Sequence, residues 1–105
     1  MGTIRSMNIE ALLKIAIQER RFVNFHYEDQ PIRKAAPHAI YYSTAGNLNV
    51  DAFQYDGYSK TGSLPDWRNF TLDKIRNVEL LDENFEIANG YKPYSSKYSR
   101  YVCKA

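Results

Sequence analysis

Two short segments of the chain carry arginine side chains that folding can bring together. Arg33 stands shortly before Pro37 in the first segment, and Arg68 opens the second, which Lys74 closes with another positive charge. Arginine suits phosphate because its planar guanidinium donates two parallel hydrogen bonds and stacks on rings. Arg33 and Arg68 are therefore candidates for an anion-binding site.

The sequence also offers a simpler role for Arg68. Asp66 and Asp73 lie close to it along the chain. Surface ion pairs between such neighbours are common and contribute little stability. Both roles for Arg68, ligand binding and a surface ion pair, remain open from sequence alone.

No pattern for catalysis or metal binding is present. His26 and His38 fall on different predicted strands without the spacing of a zinc site. Cys103 lies near the chain end without a neighbouring base, and glycine-rich phosphate loops and nucleophile elbows are missing. The acidic pairs at 28–29 and 82–83 fall at predicted turns. The sequence predicts a protein that is not an enzyme and needs neither metal nor cofactor.

The two cationic segments, in this order, resemble the WYL domain family. That family has an Arg-x-x-x-Pro element, then a hairpin, then Arg-x-Phe-x-Leu-Asp-Arg/Lys-Ile. The likeness covers roughly residues 9–85. It implies a small Sm- or SH3-like barrel behind a leading helix. It also implies a basic groove that senses a ligand, in some members single-stranded nucleic acid, with Arg33, Arg68 and Lys74 in the groove and His38 at its border.

The chain departs from the family at the triplet for which it is named. Leu48-Asn49-Val50 stands where the family has Trp-Tyr-Leu, so both aromatic side chains are lost. Trp67 and Tyr41 are the candidates for a replacement stacking surface, alongside Tyr42, Tyr55 and Tyr58. The chain also has room neither for the winged helix-turn-helix that usually precedes the family's domain nor for the module that follows it, which predicts a stand-alone module.

Length and composition indicate one small globular domain. The 105 residues are 44% hydrophobic and 25% charged, with a net charge of +2 that does not by itself imply nucleic-acid binding. A single cysteine excludes an intramolecular disulfide and favours a reducing compartment. No apolar run approaches the length of a membrane span. We therefore expect a cytoplasmic protein without membrane contact.

Hydrophobic periodicity predicts a mainly β (α+β) fold with a helix over residues 9–20. From Phe22 the period changes to two, and we expect about five antiparallel strands curled into a small barrel. Trp67 to Leu72 forms one of these strands, and a tight helical turn follows at residues 73–75. A long exposed loop is expected over residues 56–66. The barrel domain is predicted to span residues 7–88.

Residues 89–105 form a basic, tyrosine-rich C-terminal arm. Tyr94, Tyr98 and Tyr101 have helical spacing, so this segment is predicted to form an arm or a final helix with these tyrosines on one face. In a simpler alternative, the tyrosines pack on the barrel and the cations are solvated. The arm contains no acidic residue, and its four cations are Lys92, Lys97, Arg100 and Lys104.

Two functions from different classes fit these observations. The first is a non-catalytic regulatory module for transcription or defence that senses a nucleotide-like anion or binds single-stranded nucleic acid. Such a module acts through a homodimer or a DNA-binding partner protein. The second is a protein-interaction adaptor, because the chain has nine tyrosines and tyrosine is enriched in interface hot spots.

Overall fold

A computed structural model of the protein describes residues 8–59 and 62–105. This part of the chain contains one α-helix, α1, six strands, β1 to β6, and short 3-10 helices at Leu72–Lys74 and Ser96–Tyr98. The elements are α1 (Ile9–Glu19), β1 (Arg21–Tyr27), β2 (Arg33–Tyr42), β3 (Leu48–Gly57), β4 (Asp66–Thr71), β5 (Ile75–Asn84) and β6 (Tyr101–Lys104). The predicted loop over 56–66 includes residues 60 and 61, and the predicted domain begins at residue 7; these positions lie outside the described residues.

Helix α1 begins and ends where its local sequence predicts. The Asn8 side chain caps it by accepting a hydrogen bond from the Ala11 amide at 2.8 Å. Arg20 adopts a left-handed conformation with φ 54° and closes the last turn. The stripe that includes Leu13 and Ile17 is buried, which contributes about 2 kcal/mol for each of these two side chains. No helix in the described ranges is long and apolar enough to cross a membrane.

The strands form one antiparallel sheet in the order β4-β3-β2-β1-β5, with β6 added to β2. Strand β2 pairs with β3 along one edge and is shared between two partners along the other. There, Arg33–Ala35 pairs with β1, and Ala39–Tyr41 pairs with β6. The change of partner falls at Pro37, which has no N–H to donate, and a register shift follows it.

The mainly β prediction is confirmed, but the prediction of a closed barrel is wrong. The sheet is open, because β4 and β5 do not pair among the described strands. Tyr27 of β1 lies against the free edge of β4, where its hydroxyl accepts a hydrogen bond from the Thr71 amide at 3.1 Å. Its ring packs edge-on against Phe70 at 4.9 Å. Side-chain contacts therefore take the place of a closing ladder.

The core lies between α1 and one face of the sheet. Phe25 and Phe70 meet there in an edge-to-face contact with 5.0 Å between ring centroids. Hydrophobic periodicity predicts seven core residues, of which Leu13, Phe25, Val50, Phe70 and Leu72 are buried, whereas Leu12 and Leu80 are half-buried. The period-two pattern therefore assigned the faces of the central strands correctly.

A close backbone approach fixes the start of β2. Gly57 pairs with Arg33 and has φ +97°. A Cβ atom on Gly57 would lie 2.2 Å from the Ile32 carbonyl oxygen and 2.6 Å from the Arg33 Cα. Only glycine fits this position, so the end of β3 presses directly against the backbone that carries Arg33.

The C-terminal arm is not an α-helix. A 3-10 helix at Ser96–Tyr98 is capped by the Ser95 side chain, and strand β6 follows it. Tyr98 is buried, whereas Tyr94 is 93% exposed and Tyr101 is 53% exposed. The helical spacing of the tyrosines did not predict this structure, because the backbone of β6 pairs with the open half of β2. A helix formed by these residues in solvent would have no packing partner to stabilise it.

Candidate anion-binding site

The structure brings Arg33 and Arg68 to one cavity. This cavity, the arginine pocket, has a volume of about 320 Å³ and lies between β4 and the turn that joins β1 to β2. Phe70 forms part of its apolar wall, and Glu28 is its carboxylate. Two guanidinium groups and one carboxylate therefore line the cavity, which leaves an excess of positive charge.

Arg33 is a buried cation, only 6% exposed. Its Nη1 donates to Gln54 Oε1 at 3.3 Å, and its Nη2 donates to Gln30 Oε1 at 2.5 Å. The buried Nε has no hydrogen-bond partner, and no carboxylate of the described residues lies within ion-pair distance of the guanidinium. Neutral amide oxygens are therefore the hydrogen-bond acceptors of this charge.

Three aromatic rings surround the Arg33 guanidinium. Its Cζ lies 5.5 Å from the centroid of Tyr27, 5.2 Å from Tyr58 and 5.1 Å from Phe70. Such ring faces attract a cation but do not neutralise it. Burial lowers the pKa of Arg33 from its ordinary value, and the nearby charge of Arg68 adds to this effect. Because arginine stays protonated in proteins, the positive charge persists beside the cavity.

Arg68 is held by the residues that precede and begin β4. Its Nη1 forms an ion pair with Asp66 Oδ2 at 3.0 Å, so the ion pair that the sequence suggested is present. Its Nη2 donates to Ser59 Oγ at 2.8 Å and to the Ser63 carbonyl oxygen at 3.2 Å. The side chain is 18% exposed and still lines the arginine pocket. These bonds fix the position of the guanidinium at the cavity wall.

Lys74 does not line the arginine pocket. Its Nζ lies 3.7 Å from Glu28 Oε2, and its side chain is half-exposed. The 3-10 helix at Leu72–Lys74 turns the chain after β4 and directs Lys74 toward solvent. Arg33 and Arg68 therefore converge, whereas Lys74 reaches the site only through its ion pair with Glu28.

His38 does not border the groove, because it is fully buried on the other side of β2. Its Nδ1 lies 2.8 Å from the Ala36 carbonyl oxygen, and its Nε2 accepts the Ala88 amide hydrogen at 3.1 Å. The Nε2 acceptor and the Nδ1 donor define a neutral imidazole with the proton on Nδ1. Its ring packs against Trp67 and Tyr91. Both nitrogens serve the backbone, which leaves none for a ligand.

Neutral His38 predicts a loss of stability in mild acid. Burial lowers the pKa of His38 from its ordinary value of 6.5. Below pH 6.5 the unfolded chain therefore binds a proton at this histidine that the folded chain does not bind. The free energy of unfolding should fall from about pH 6.5 downward, by up to about 1.4 kcal/mol per pH unit for this group, until the lowered pKa is reached. Urea denaturation of wild type and His38→Gln across this range measures the slope. Equal slopes in the two proteins would contradict the assignment.

A second cavity, the arm pocket, lies where the C-terminal arm packs on the sheet. Its volume is about 350 Å³, and it shares Arg68 and Asn69 with the arginine pocket. Lys92 and Lys97 of the arm line it together with Trp67. Three cations therefore surround the arm pocket.

Asp51 lies at the base of the arm pocket and is only 4% exposed. Its Oδ1 accepts hydrogen bonds from the Tyr41 hydroxyl at 2.9 Å and from Asn69 Nδ2 at 2.8 Å. Its Oδ2 accepts from the Tyr98 hydroxyl at 2.6 Å and pairs with Lys97 Nζ at 2.7 Å. The carboxylate thus joins β2, β3, β4 and the arm in one network, the Asp51 network.

The Asp51 network keeps its carboxylate ionised. Burial by itself raises the pKa of Asp51, but the hydrogen bonds from Lys97, Tyr98, Asn69 and Tyr41 outweigh it and lower the pKa below 3.8. Burial and the same carboxylate raise the pKa of both tyrosines. The only sequence signal for this network is an acidic residue between the inward-facing Val50 and Ala52 of a central strand.

Of the stacking candidates Trp67 and Tyr41, Trp67 lines a cavity and Tyr41 does not. Its Nε1 donates to the Asn89 carbonyl oxygen at 2.9 Å, and its ring lies nearly parallel to Tyr91, with 6.1 Å between centroids. Tyr41 is 4% exposed, and its hydroxyl is committed to Asp51. Burial therefore removes Tyr41 from a role as a stacking surface.

Neither the arrangement of metal-ligating side chains nor the comparison with known proteins indicates a further site. Within residues 8–59 and 62–105, no group of three or more His, Cys, Asp or Glu side chains is arranged to hold a metal ion. No protein-family model matches the chain, and a search of curated proteins found no match. The geometry of the two pockets is therefore the basis for a functional proposal.

Proposed function

We propose that this protein is a non-catalytic, WYL-like regulatory module that binds a nucleotide-like anion or single-stranded nucleic acid in the arginine pocket. Its proposed setting is the cytoplasm, where it acts in transcription or defence through a homodimer or a DNA-binding partner protein. The observation that carries this proposal is Arg33, a buried cation solvated by neutral groups beside a cavity.

A buried guanidinium without an anion is costly for the folded state. Removing a charge from water costs several kcal/mol, and a paired carboxylate normally offsets part of this. Arg33 has only two glutamine oxygens, and its Nε remains without a partner. A phosphate in the arginine pocket would accept from the arginines and neutralise their charge. Such departures from stabilising design are typical of functional sites.

The fold supports the WYL-like part of the proposal. A helix that precedes an antiparallel sheet is consistent with the Sm- or SH3-like domain that the resemblance implies. Arg33 and Arg68 occupy the arginine positions of the two motifs that carry the resemblance. The open sheet and the loss of the Trp-Tyr-Leu triplet set this chain apart from that family's usual pattern.

An interaction adaptor is the alternative function, and one surface feature favours it. Among the large hydrophobic residues that the structure describes, Tyr94 and Tyr101 of the arm are the two most exposed. Lys104 Nζ lies between them, 4.3 Å from the Tyr101 ring centroid and 5.4 Å from that of Tyr94. Exposed tyrosines beside a cation resemble the composition of interface hot spots.

Arg68→Ala tests the proposal through salt dependence. If Arg68 contacts a phosphate of a single-stranded oligonucleotide, this variant should bind more weakly and lose about 0.7 from the slope of log affinity against log salt. Different sequences should be weakened alike, because a phosphate contact reads no base. Fluorescence anisotropy of a labelled strand across a salt series measures both effects.

Lys14→Ala is the matched control for this measurement. It removes the same charge from the surface of α1, where Lys14 pairs with Glu10, and it touches neither pocket. The control should retain the wild-type slope. Equal slopes for wild type and a correctly folded Arg68→Ala would remove nucleic acid from the proposal. A wild-type protein that binds no strand and elutes as a dimer would favour the adaptor.

A further inference from the structure

The arm pocket adjoins the arginine pocket at Arg68 and Asn69 of β4. We propose that the C-terminal arm supplies a second phosphate subsite, centred on Lys92, so that the ligand is a single-stranded oligonucleotide and not a mononucleotide. This inference rests on the proposed function and specifies its ligand. It assigns a role to the arm that the two arginine motifs do not contain.

Geometry links the two subsites. Arg68 and Asn69 line both cavities, so a ligand that fills one meets the other at these residues. Phe70 lines only the arginine pocket and Trp67 lines only the arm pocket, and alternation places these two side chains on opposite faces of β4. A ligand that reaches both cavities has to pass across β4 at Arg68 and Asn69, and one phosphate group is too small to do so. A ligand that contacts cations in both cavities must therefore carry more than one phosphate.

The charges of the arm pocket leave Lys92 for a ligand. Lys97 is engaged by Asp51, whose carboxylate is further held by neutral donors. Lys92 is exposed at the cavity and has no ion pair among the described residues. Because Asp51 is already neutralised by Lys97, it does not cancel the charge of Lys92. The arm pocket therefore offers a cation that can bind a phosphate without breaking an ion pair within the protein.

The wall of the arm pocket suits a nucleobase beside that phosphate. Trp67 presents an aromatic ring, and its contact with the Asn89 carbonyl oxygen fixes the ring plane. Gly90 allows the arm to pass close to the Trp67 ring, because a Cβ atom at this position would lie 3.0 Å from Trp67 Nε1. Cations alternating with an aromatic side chain are the composition of grooves that bind single strands.

A length series tests this inference directly. Oligothymidylates of one to six nucleotides serve as probes for wild type, Lys92→Ala and Arg100→Ala, with affinity measured by calorimetry at several salt concentrations. In wild type, affinity and salt slope should rise from the mononucleotide to about the trinucleotide, by about 0.7 in slope for each added phosphate contact. Lys92→Ala should lose one such increment on longer probes and bind the mononucleotide as wild type does.

Arg100→Ala is the control within the arm. It removes the same charge from an exposed residue that bonds to the Ser43 carbonyl oxygen and lines neither pocket. It should retain the full length dependence. Wild-type affinity that is the same for all lengths, or equal losses in Lys92→Ala and Arg100→Ala, overturns the second subsite and leaves the arginine pocket standing. No binding at any length overturns both proposals.

Discussion

Replacing Asp51 with alanine is expected to lower the free energy of unfolding by about 3 kcal/mol. The substitution leaves the Tyr98 hydroxyl, the Asn69 amide and the Lys97 ammonium without their shared acceptor. Each buried donor without a partner costs about 1–3 kcal/mol, and partial access to water reduces the sum. Urea denaturation at neutral pH measures the change.

Single changes around Asp51 provide the controls. Lys97→Met should cost about 1–2 kcal/mol, less than Asp51→Ala, because it leaves the buried carboxylate without its cation but with its neutral donors, and the lysine side chain is itself 51% exposed. Tyr98→Phe should cost about 1 kcal/mol, the net contribution of one hydrogen bond. If Asp51→Ala changes stability by no more than Lys97→Met does, the network does not hold the arm to the sheet.

The Asp51 contribution should also depend on pH in a defined direction. Because the folded-state pKa lies below 3.8, this contribution is fully present above that value and is lost as pH falls through the lowered pKa. The stability difference between wild type and Asp51→Ala should therefore shrink only in strong acid. This window is separate from that of His38, which begins near pH 6.5.

Arg33→Met is expected to weaken oligonucleotide binding by about 100-fold and to leave stability within about 1 kcal/mol of wild type. Binding falls because the guanidinium that would neutralise the phosphate is gone. Stability changes little because removing a buried charge without a carboxylate partner offsets the lost hydrogen bonds to Gln30 and Gln54. Anisotropy and urea denaturation of the same preparations provide the two values.

Arg33→Lys separates charge from geometry. Lysine keeps the positive charge but has no planar fork, so binding should lie between that of wild type and Arg33→Met. A loss of more than about 3 kcal/mol in Arg33→Met would identify Arg33 as a structural residue that the fold cannot spare. Wild-type affinity in Arg33→Met would exclude the arginine pocket as the binding site.

The sequence by itself determined the elements whose signals are local. Asn8 marks the start of α1, and the spacing of Leu13 and Ile17 identifies its buried face. Alternation along the strands places Phe25 and Phe70 in the core. These features follow from neighbouring residues because side-chain direction repeats every 3.6 residues in a helix and every two in a strand. The order of the two arginine motifs is likewise readable directly.

Only the tertiary structure determined which strands pair and which side chains come into contact. The arm became a strand because β2 had half an edge open to it, and its helical tyrosine spacing carried no information about that edge. His38 was buried and Lys74 turned to solvent, although both stand beside the arginine motifs.

Asp51 is the clearest example, because its partners lie at positions 41, 69, 97 and 98. Whether a buried charge is stable depends on groups brought close by folding, and sequence spacing does not encode that distance.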